Sequence, residues 1–244
     1  MPTLTTPNTG IEIFYEEQGD PQAPVILLVM GLGAQMTLWP DELVAALAGD
    51  GFRVIRYDNR DIGLSQKFEG ARAPSLPIQL LRKKIGFPAK VPYTLKDMAD
   101  DGIGVLTALG IDKAHVVGAS MGGMIVQLMA IHHPDRLLTM TSIMSTTGNG
   151  KLPQAEKHAM EALIAPLKGM DEETLVAHGL NIARNIGSPH SAEFPFDEAA
   201  QRERVLANMR RSVYPAGLPR QLAAIIDDGC RRSRLAKVRT PTLV

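Results

Sequence analysis

Cysteine, aromatic residues and net charge are all scarce in this sequence of 244 residues. The lone Cys230 cannot form an internal disulfide, which excludes a disulfide-stapled fold and is typical of a reducing cytoplasm. Lysine plus arginine and aspartate plus glutamate both number 26, so the zero net charge gives no reason to expect nucleic acid or an anionic membrane as a partner. The basic run at 231–239 is the local exception, and we expect it to be a solvated face.

Long apolar runs are also missing. No stretch reaches the length of a membrane span, and residues 1–17 lack the basic region and apolar core of a secretory signal, so we expect a cytoplasmic protein with no membrane partner. With 45% hydrophobic and 21% charged residues, the chain has the usual size and composition of one α/β domain with a large core.

Ser120 is the strongest candidate for a chemical role. It lies in a G-x-S-x-G pattern with Gly118 and Gly122, inside residues 114–131, which predict a strand, a sharp turn and a helix. On such a turn, side chains two positions either side of the serine would collide with the helix or a neighbouring strand, so both positions need glycine. The turn would expose the hydroxyl so that it can attack a substrate. The alternative is a turn without a catalytic role, which the flanking strand and helix disfavour.

The segments before Ser120 alternate between strands and helices. Residues 11–17 and the apolar run 25–30 predict two early strands, the second buried on both faces. The loop that begins at Gly31 could place a backbone N–H against a substrate, although by itself it favours an ordinary strand-to-helix turn. Residues 58–65 predict a packed polar loop in which Arg60 and the aspartates bond backbone and one another.

Residues 69–93 contain four prolines and predict an irregular surface excursion. Thr94 and Asp97 then predict a capping box that begins a helix ending at Gly110. After Ser145 the pattern changes to helices alone, at about 154–164, 171–186 and 197–213, which we interpret as a lid. The domain organisation predicted in this way is a core over 1–146, a lid over 147–215 and a return to the core over 216–244.

The order of these motifs is similar to that of the α/β-hydrolase fold, and more narrowly the chain resembles bacterial serine esterases related to aclacinomycin methylesterase. The segments that carry the resemblance are VILLVMGLGAQ, RVIRYDNRDIGLS, AHVVGASMGG, SIMSTTGN and LAKVRTPTLV. The resemblance implies an α/β fold with a mostly parallel sheet, helices on both faces and a helical lid.

The resemblance also implies roles for individual residues. Ser120 corresponds to the nucleophile, and the backbone N–H groups of Met121 and of Leu32, which follows Gly31, correspond to the oxyanion hole. The implied reaction is hydrolysis of a small apolar carboxylic ester through an acyl-enzyme, without a cofactor or metal. Two departures are Met30, where many relatives have histidine, and Asp61, where many have glycine.

The acid and histidine of a catalytic triad are not recognisable in the sequence. In the family they follow the serine, so we expect them beyond Val244, in about 40–60 further residues that supply the last strands and helix. None of the six histidines is expected at Ser120; they are His115, His132, His133, His158, His178 and His190. The adjacent His132 and His133 at the helix end are not expected to form a metal site. A truncated hydrolase that is nearly inactive by itself is therefore expected. The alternatives are a ligand-binding protein that lost the triad, and carbon–carbon bond hydrolysis or perhydrolysis on the same fold. The oligomeric state is left open.

Overall fold

Two compact units make up the chain. The structure, a computed structural model, describes residues 2–87, 90–188 and 195–244. The larger unit combines Met1–Asn149 with Ala216–Val244, and the smaller unit is Gly150–Pro215. The site described below lies entirely in the larger unit.

A seven-stranded sheet forms the centre of the larger unit. Its strands are β1 (Thr3–Thr5), β2 (Glu12–Gln18), β3 (Val25–Val29), β4 (Arg53–Tyr57), β5 (Ala114–Ala119), β6 (Leu137–Ile143) and β7 (Thr242–Leu243). Their spatial order is β1-β2-β4-β3-β5-β6-β7, with β2 antiparallel to β1 and β4 and the other pairs parallel. Every residue of β3 is buried, as the continuous apolar run predicts for a strand covered on both faces. The sequence did not predict β1, because three partly exposed residues carry no detectable pattern.

Helices connect the parallel strands of this unit. They are α1 (Asp41–Gly49), α2 (Leu76–Lys84), α3 (Leu95–Ala108), α4 (Met121–His132), α8 (Gly217–Asp228) and α9 (Arg232–Leu235). The predicted capping box at α3 is confirmed: Asp97 N–H donates to Thr94 Oγ1 at 3.1 Å, and Thr94 N–H donates to Asp97 Oδ2 at 2.8 Å. Apolar residues of α3 and α4 share one hydrophobic core with the sheet.

Helix α2 corrects the prediction of an irregular excursion over 69–93. Its proline, Pro77, falls in the first turn, where a helix needs no backbone N–H, so the ring does not interrupt hydrogen bonding. Gln79 is buried, and its side-chain amide donates to the carbonyl oxygen of Ala223 in α8 at 2.6 Å. The contact between α2 and α8 therefore supports a helix in a segment whose number of prolines suggested none.

The basic run at 231–239 also differs from its prediction as a solvated face. Arg231 is 1% exposed, and its guanidinium donates to Gln127 Oε1, to the Thr146 carbonyl oxygen and to the Asp228 carboxylate. Asp228 further accepts from Arg234 at 3.0 Å. A buried cation needs several acceptors, and Arg231 finds them in Gln127 of α4, in Thr146 after β6 and in Asp228 at the end of α8.

The smaller unit contains α5 (Lys157–Ile164), α6 (Glu172–Ile186) and α7 (Glu198–Arg211). Asp171 and Asp197 cap α6 and α7 by accepting backbone N–H groups at 2.9 Å. The unit has its own hydrophobic cluster, and Val176, Leu180 and Leu206 form its buried centre. Its role as a lid stays a prediction. Among the residues that the structure describes, no helix is long and apolar enough to cross a membrane.

Candidate active site

Ser120 occupies the turn between β5 and α4 in a strained conformation. Its φ and ψ are 56° and −117°, a region that residues other than glycine rarely adopt. The turn is held from β6 and the residues after it: Ser120 N–H donates to the Ile143 carbonyl oxygen at 3.0 Å, and Ser145 Oγ donates to the Ser120 carbonyl oxygen at 2.8 Å. The backbone of Ser120 is therefore held at the end of the strand rather than within it.

Two glycines allow this turn to pack. A Cβ on Gly118 would lie 2.2 Å from the carbonyl oxygen of Gly122, and a Cβ on Gly122 would lie 2.0 Å from that of Val29 in β3. Real Cβ atoms do not approach backbone so closely, so the helix start and the neighbouring strand each exclude a side chain. These are the two collisions that the spacing of the motif predicts.

The loop after β3 lies against the serine. A Cβ built on Gly31 would be 3.1 Å from Ser120 Cβ and 3.5 Å from Ser120 Oγ. In this loop Gly33 N–H donates to Gln221 Oε1 at 2.9 Å and Met36 N–H donates to an Asp58 carboxylate oxygen at 2.9 Å.

Leu32 in this loop has an available backbone N–H. Within the described ranges, Leu32 N–H has no hydrogen-bond partner, although its neighbour Gly33 has one. Met121 is the first residue of α4, so its N–H has no partner inside the helix. The sequence predicts the N–H groups of Leu32 and Met121 as oxyanion donors. Leu32 directly follows Gly31, and Met121 directly follows Ser120.

The hydroxyl of Ser120 has no hydrogen-bond partner in the part of the chain that the structure describes, and the residue is partly exposed. Two histidines of the larger unit are engaged elsewhere: His115 Nδ1 bonds Thr139 Oγ1 at 2.8 Å, and His133 Nε2 bonds Asp100 Oδ1 at 2.7 Å. Burial, with nearby cations, lowers the pKa of His132. His158 and His178 belong to the smaller unit, and His190 lies outside the described residues. No general base for Ser120 is therefore visible among these side chains.

A buried polar layer supports the loop. Asn59 Nδ2 donates to the Met30 carbonyl oxygen at 2.9 Å, and Asp58 accepts from Leu64 N–H at 2.8 Å. The sequence predicted a packed polar loop here, but it expected the charged residues of the loop to bond one another. Arg60 instead pairs with Asp101 of α3 at 2.6 Å, so a partner distant in sequence satisfies it.

Asp61 is a fully enclosed carboxylate of this layer. It is 0% exposed, and it accepts from Arg220 Nε at 2.7 Å, Arg220 Nη2 at 2.8 Å, Tyr93 Oη at 2.6 Å and Phe68 N–H at 2.8 Å. Burial by itself would raise the pKa of Asp61, but the bonds from Arg220, Phe68 and Tyr93 outweigh it and the pKa lies below its usual value. Burial and the same carboxylate raise the pKa of Tyr93. Asp61 is thus held ionised.

Sequence reasoning missed Arg220 and Gln221, which both come from α8. Gln221 is 0% exposed, and Arg220 is 4% exposed. Nothing in the sequence pattern of α8 indicated which loops its polar residues bond. Among the described residues, no group of three His, Cys, Asp or Glu side chains could hold a metal ion.

Comparison with known proteins adds a family to this geometry. Residues 24–222 match the family model described as alpha/beta hydrolase fold. Rhodomycin D methylesterase DauP from Streptomyces sp. (strain C5) is 37% identical over 141 residues, which are 58% of this chain and 41% of that protein. Epoxide hydrolase B from Mycobacterium tuberculosis (strain ATCC 25618 / H37Rv) is 29% identical over 140 residues, which are 57% of this chain and 34% of that protein.

A solved structure agrees with the fold over almost the whole chain. The enol-lactonase from Burkholderia xenovorans LB400 has a TM-score of 0.63 and 25% sequence identity, and the match covers 99% of this chain and 79% of that one. The sequence matches, by contrast, span less than half the length of the curated relatives named above.

Proposed function

The chain belongs to the α/β hydrolase fold family, and on that basis we propose that it is a serine hydrolase that cleaves carboxylic esters through an acyl-enzyme on Ser120. The observation that carries the proposal is the strained serine at the end of β5, with a free hydroxyl and with Gly31 packed against its side chain. A methylesterase and an enol-lactonase among the similar proteins support ester cleavage, since a lactone is a cyclic ester.

In the proposed reaction, Ser120 Oγ attacks the carbonyl carbon of the ester while its proton passes to a general base. The carbonyl oxygen becomes an oxyanion, which the N–H groups of Leu32 and Met121 stabilise. The bond from carbon to the alcohol oxygen then breaks, and the base returns the proton to the leaving alcohol. Water repeats the sequence on the acyl-enzyme and releases the acid. No cofactor takes part in this scheme.

The general base and its acid are assigned to residues outside the described part of the chain. In the family, the order along the chain is serine, acid, histidine. The free Ser120 hydroxyl supports this assignment, because no described histidine is hydrogen-bonded to it, and His115 and His133 bond Thr139 and Asp100 instead. Loss of the base from a triad costs several orders of magnitude in rate, so residues 1–244 by themselves should turn over esters very slowly.

The substrate is proposed to be a small apolar ester, and Gly150–Pro215 is proposed to act as its lid. A separate helical unit inserted between β6 and α8 supports this role, because such an insertion can exclude water from the site of an α/β enzyme. The single cysteine supports action in the cytoplasm.

A second candidate is a ligand-binding protein that retains the pocket without turnover. The unpartnered hydroxyl of Ser120 favours it, since the same geometry without a base would bind an acyl compound and stop there. Epoxide hydrolysis is disfavoured, because the epoxide hydrolases of this fold use an aspartate where this chain has Ser120.

Fluorophosphonate labelling of the protein expressed to its natural stop codon tests the proposal, together with turnover of p-nitrophenyl acetate. We expect one covalent adduct at Ser120, and loss of both adduct and turnover in Ser120→Ala. Ser233→Ala is the matched control, because Ser233 is exposed on α9 and should keep both activities. The intact mass of the same sample, compared with 26.4 kDa for these 244 residues, tests whether further residues supply the base. Labelling without turnover would favour the binding protein, and turnover that survives Ser120→Ala would exclude Ser120 as the nucleophile.

A further inference from the structure

Gln221 is a buried amide that bonds two loops at once. Its Oε1 accepts from Gly33 N–H at 2.9 Å, and its Nε2 donates to the Arg60 carbonyl oxygen at 2.9 Å. One partner can only donate and the other can only accept, so the orientation of the amide is fixed by their chemistry. The residue is 0% exposed, so no water competes for either bond.

The two bonded loops are the ones that follow β3 and β4. Gly33 is the next residue after Leu32, whose N–H has no hydrogen-bond partner among the described residues, and a Cβ built on Gly31, on the other side, would lie 3.1 Å from Ser120 Cβ. Gln221 therefore fixes the peptide that immediately follows the proposed oxyanion donor. Asn59 and Asp58 fix the ends of the same loop at Met30 and Met36.

Helix α8 also contacts this loop sterically. Gly33 has a φ of +66°, and a Cβ at this position would lie 2.6 Å from Leu218 Cδ1. Leu218 and Gln221 are three residues apart on α8, so they lie on the same face of the helix. The loop is consequently held by α8 through one hydrogen bond and one close packing contact.

We propose that Gln221 is a positioning residue for the oxyanion hole, holding Leu32 N–H at the distance from Ser120 where the tetrahedral oxyanion forms. This inference rests on the proposed function, but its structural half does not. Oxyanion donors act because they are already oriented before charge develops, so an anchor next to the donor contributes to the rate without touching the substrate. Gln221 is thus distinct from the nucleophile and from the donors themselves.

Gln221→Met is the decisive change, since it keeps length and apolar volume but removes both bonds. Gln79→Met is the matched control, because Gln79 is also a buried amide bonded to α8, and its described hydrogen bond goes to the Ala223 carbonyl oxygen rather than to the loop. Both variants are made in the protein expressed to its natural stop codon, and concentrations are corrected by fluorophosphonate titration of active sites.

We expect Gln221→Met to lower kcat about 10- to 100-fold with KM nearly unchanged, since a misplaced donor costs less than the roughly 100- to 1,000-fold loss of a deleted one. Affinity for a trifluoromethyl ketone, which forms the tetrahedral adduct, should fall with kcat, whereas affinity for the corresponding non-reactive alcohol should not. Gln79→Met should change neither value beyond about 2-fold. A purely structural role for Gln221 would lower the titrated fraction of active enzyme and leave kcat per site unchanged, which would overturn the proposal.

Amide hydrogen exchange of residues 30–36 provides a readout that needs no activity. Exchange of this segment should become faster in Gln221→Met and stay as in wild type in Gln79→Met. Equal exchange in both variants would overturn the anchoring of the loop. Should exchange rise while the wild type neither labels at Ser120 nor hydrolyses esters, the proposed function would fail and the catalytic half of this inference with it, while the anchor would stand.

Gln221→Glu supplies a rescue experiment if Gln221→Met folds poorly. A protonated carboxyl group has one acceptor and one donor, as the amide has, whereas the carboxylate would face the Arg60 carbonyl oxygen without a donor. Burial raises the pKa of a carboxyl group, and its neutral form predominates below that pKa. The kcat ratio of Gln221→Glu to wild type should therefore rise as pH falls from 8 to 5. A ratio independent of pH would contradict the role of the two bonds.

Discussion

Asp61→Asn should destabilise the protein strongly although it changes a single atom type. Asparagine has the shape of aspartate and tolerates the positive φ of 69° at this position, so the backbone need not move. The substitution removes the negative charge that Arg220 Nε and Nη2 bond at 2.7 and 2.8 Å. Arg220 is 4% exposed, so water cannot replace the carboxylate.

The expected loss follows from the burial of the pair. Removing one partner of a buried ion pair costs about 3–5 kcal/mol, because the other charge stays buried without compensation. Arg220 Nη1 keeps its bond to the Ala71 carbonyl oxygen at 2.9 Å, which favours the lower end of that range. For a chain of this size, the loss corresponds to a decrease in Tm of about 6–20 °C.

Urea unfolding of the variant and of a double-mutant cycle measures this loss. Glu161→Gln is the matched control, because Glu161 pairs with Lys157 at 3.7 Å on the surface and its removal should cost less than about 1 kcal/mol. Arg220→Met in the Asp61→Asn background should cost little more than Asp61→Asn alone, because the buried cation that has lost the Asp61 carboxylate is then itself removed. A loss below about 1 kcal/mol for Asp61→Asn, or simple additivity in the cycle, would refute the argument from buried charge.

Two further predictions concern pH and the serine turn. The pKa of Asp61 lies below its unfolded value, so its stabilising contribution is complete above the unfolded pKa of about 4 and is lost as pH falls through the folded pKa. The difference in unfolding free energy between wild type and Asp61→Asn, measured by urea titration, should therefore shrink below about pH 4. A constant difference would contradict the shift. Gly122→Ala should lower the unfolding free energy by at least about 1–3 kcal/mol, since its Cβ would lie 2.0 Å from the Val29 carbonyl oxygen, whereas Gly49→Ala meets nothing within 4 Å. Equal thermal stability of the two alanine variants would show that the close approach at Gly122 is not real.

Local patterns were enough to predict the serine turn. The apolar strand, the two glycines and the following helix occupy neighbouring positions in the chain, and their spacing has a steric meaning that can be read without the fold. The buried strand β3 was predictable for the same reason, because a continuous apolar run fits a strand with covered faces. The capping box joins Thr94 to Asp97, three positions further along the chain, so it was also predictable.

Contacts between distant segments were not predictable. Arg220 and Asp61 are 159 positions apart, and Gln221 and Gly33 are 188 apart. Arginine and glutamine are common on exposed helix faces, so their presence on α8 indicated nothing about burial. The burial of Arg231 was missed for the same reason, since a run of basic residues usually faces solvent. Only the fold determines which acceptors these side chains reach.

Two adjacent polar residues of α8, Arg220 and Gln221, support the site in different ways. Adjacent helix residues point in different directions, so Arg220 reaches the Asp61 carboxylate while Gln221 reaches the backbone of both loops. Gly217 lets the start of the helix approach, because a Cβ there would lie 2.2 Å from the Asp61 carbonyl oxygen. A buried charged pair whose described hydrogen bonds do not include Ser120 or the loop of residues 31–36 changes mainly the free energy of unfolding, whereas an amide bonded beside the Leu32 peptide changes mainly where an N–H points. Asp61→Asn should consequently lower stability with kcat per active site largely retained, and Gln221→Met should show the opposite balance.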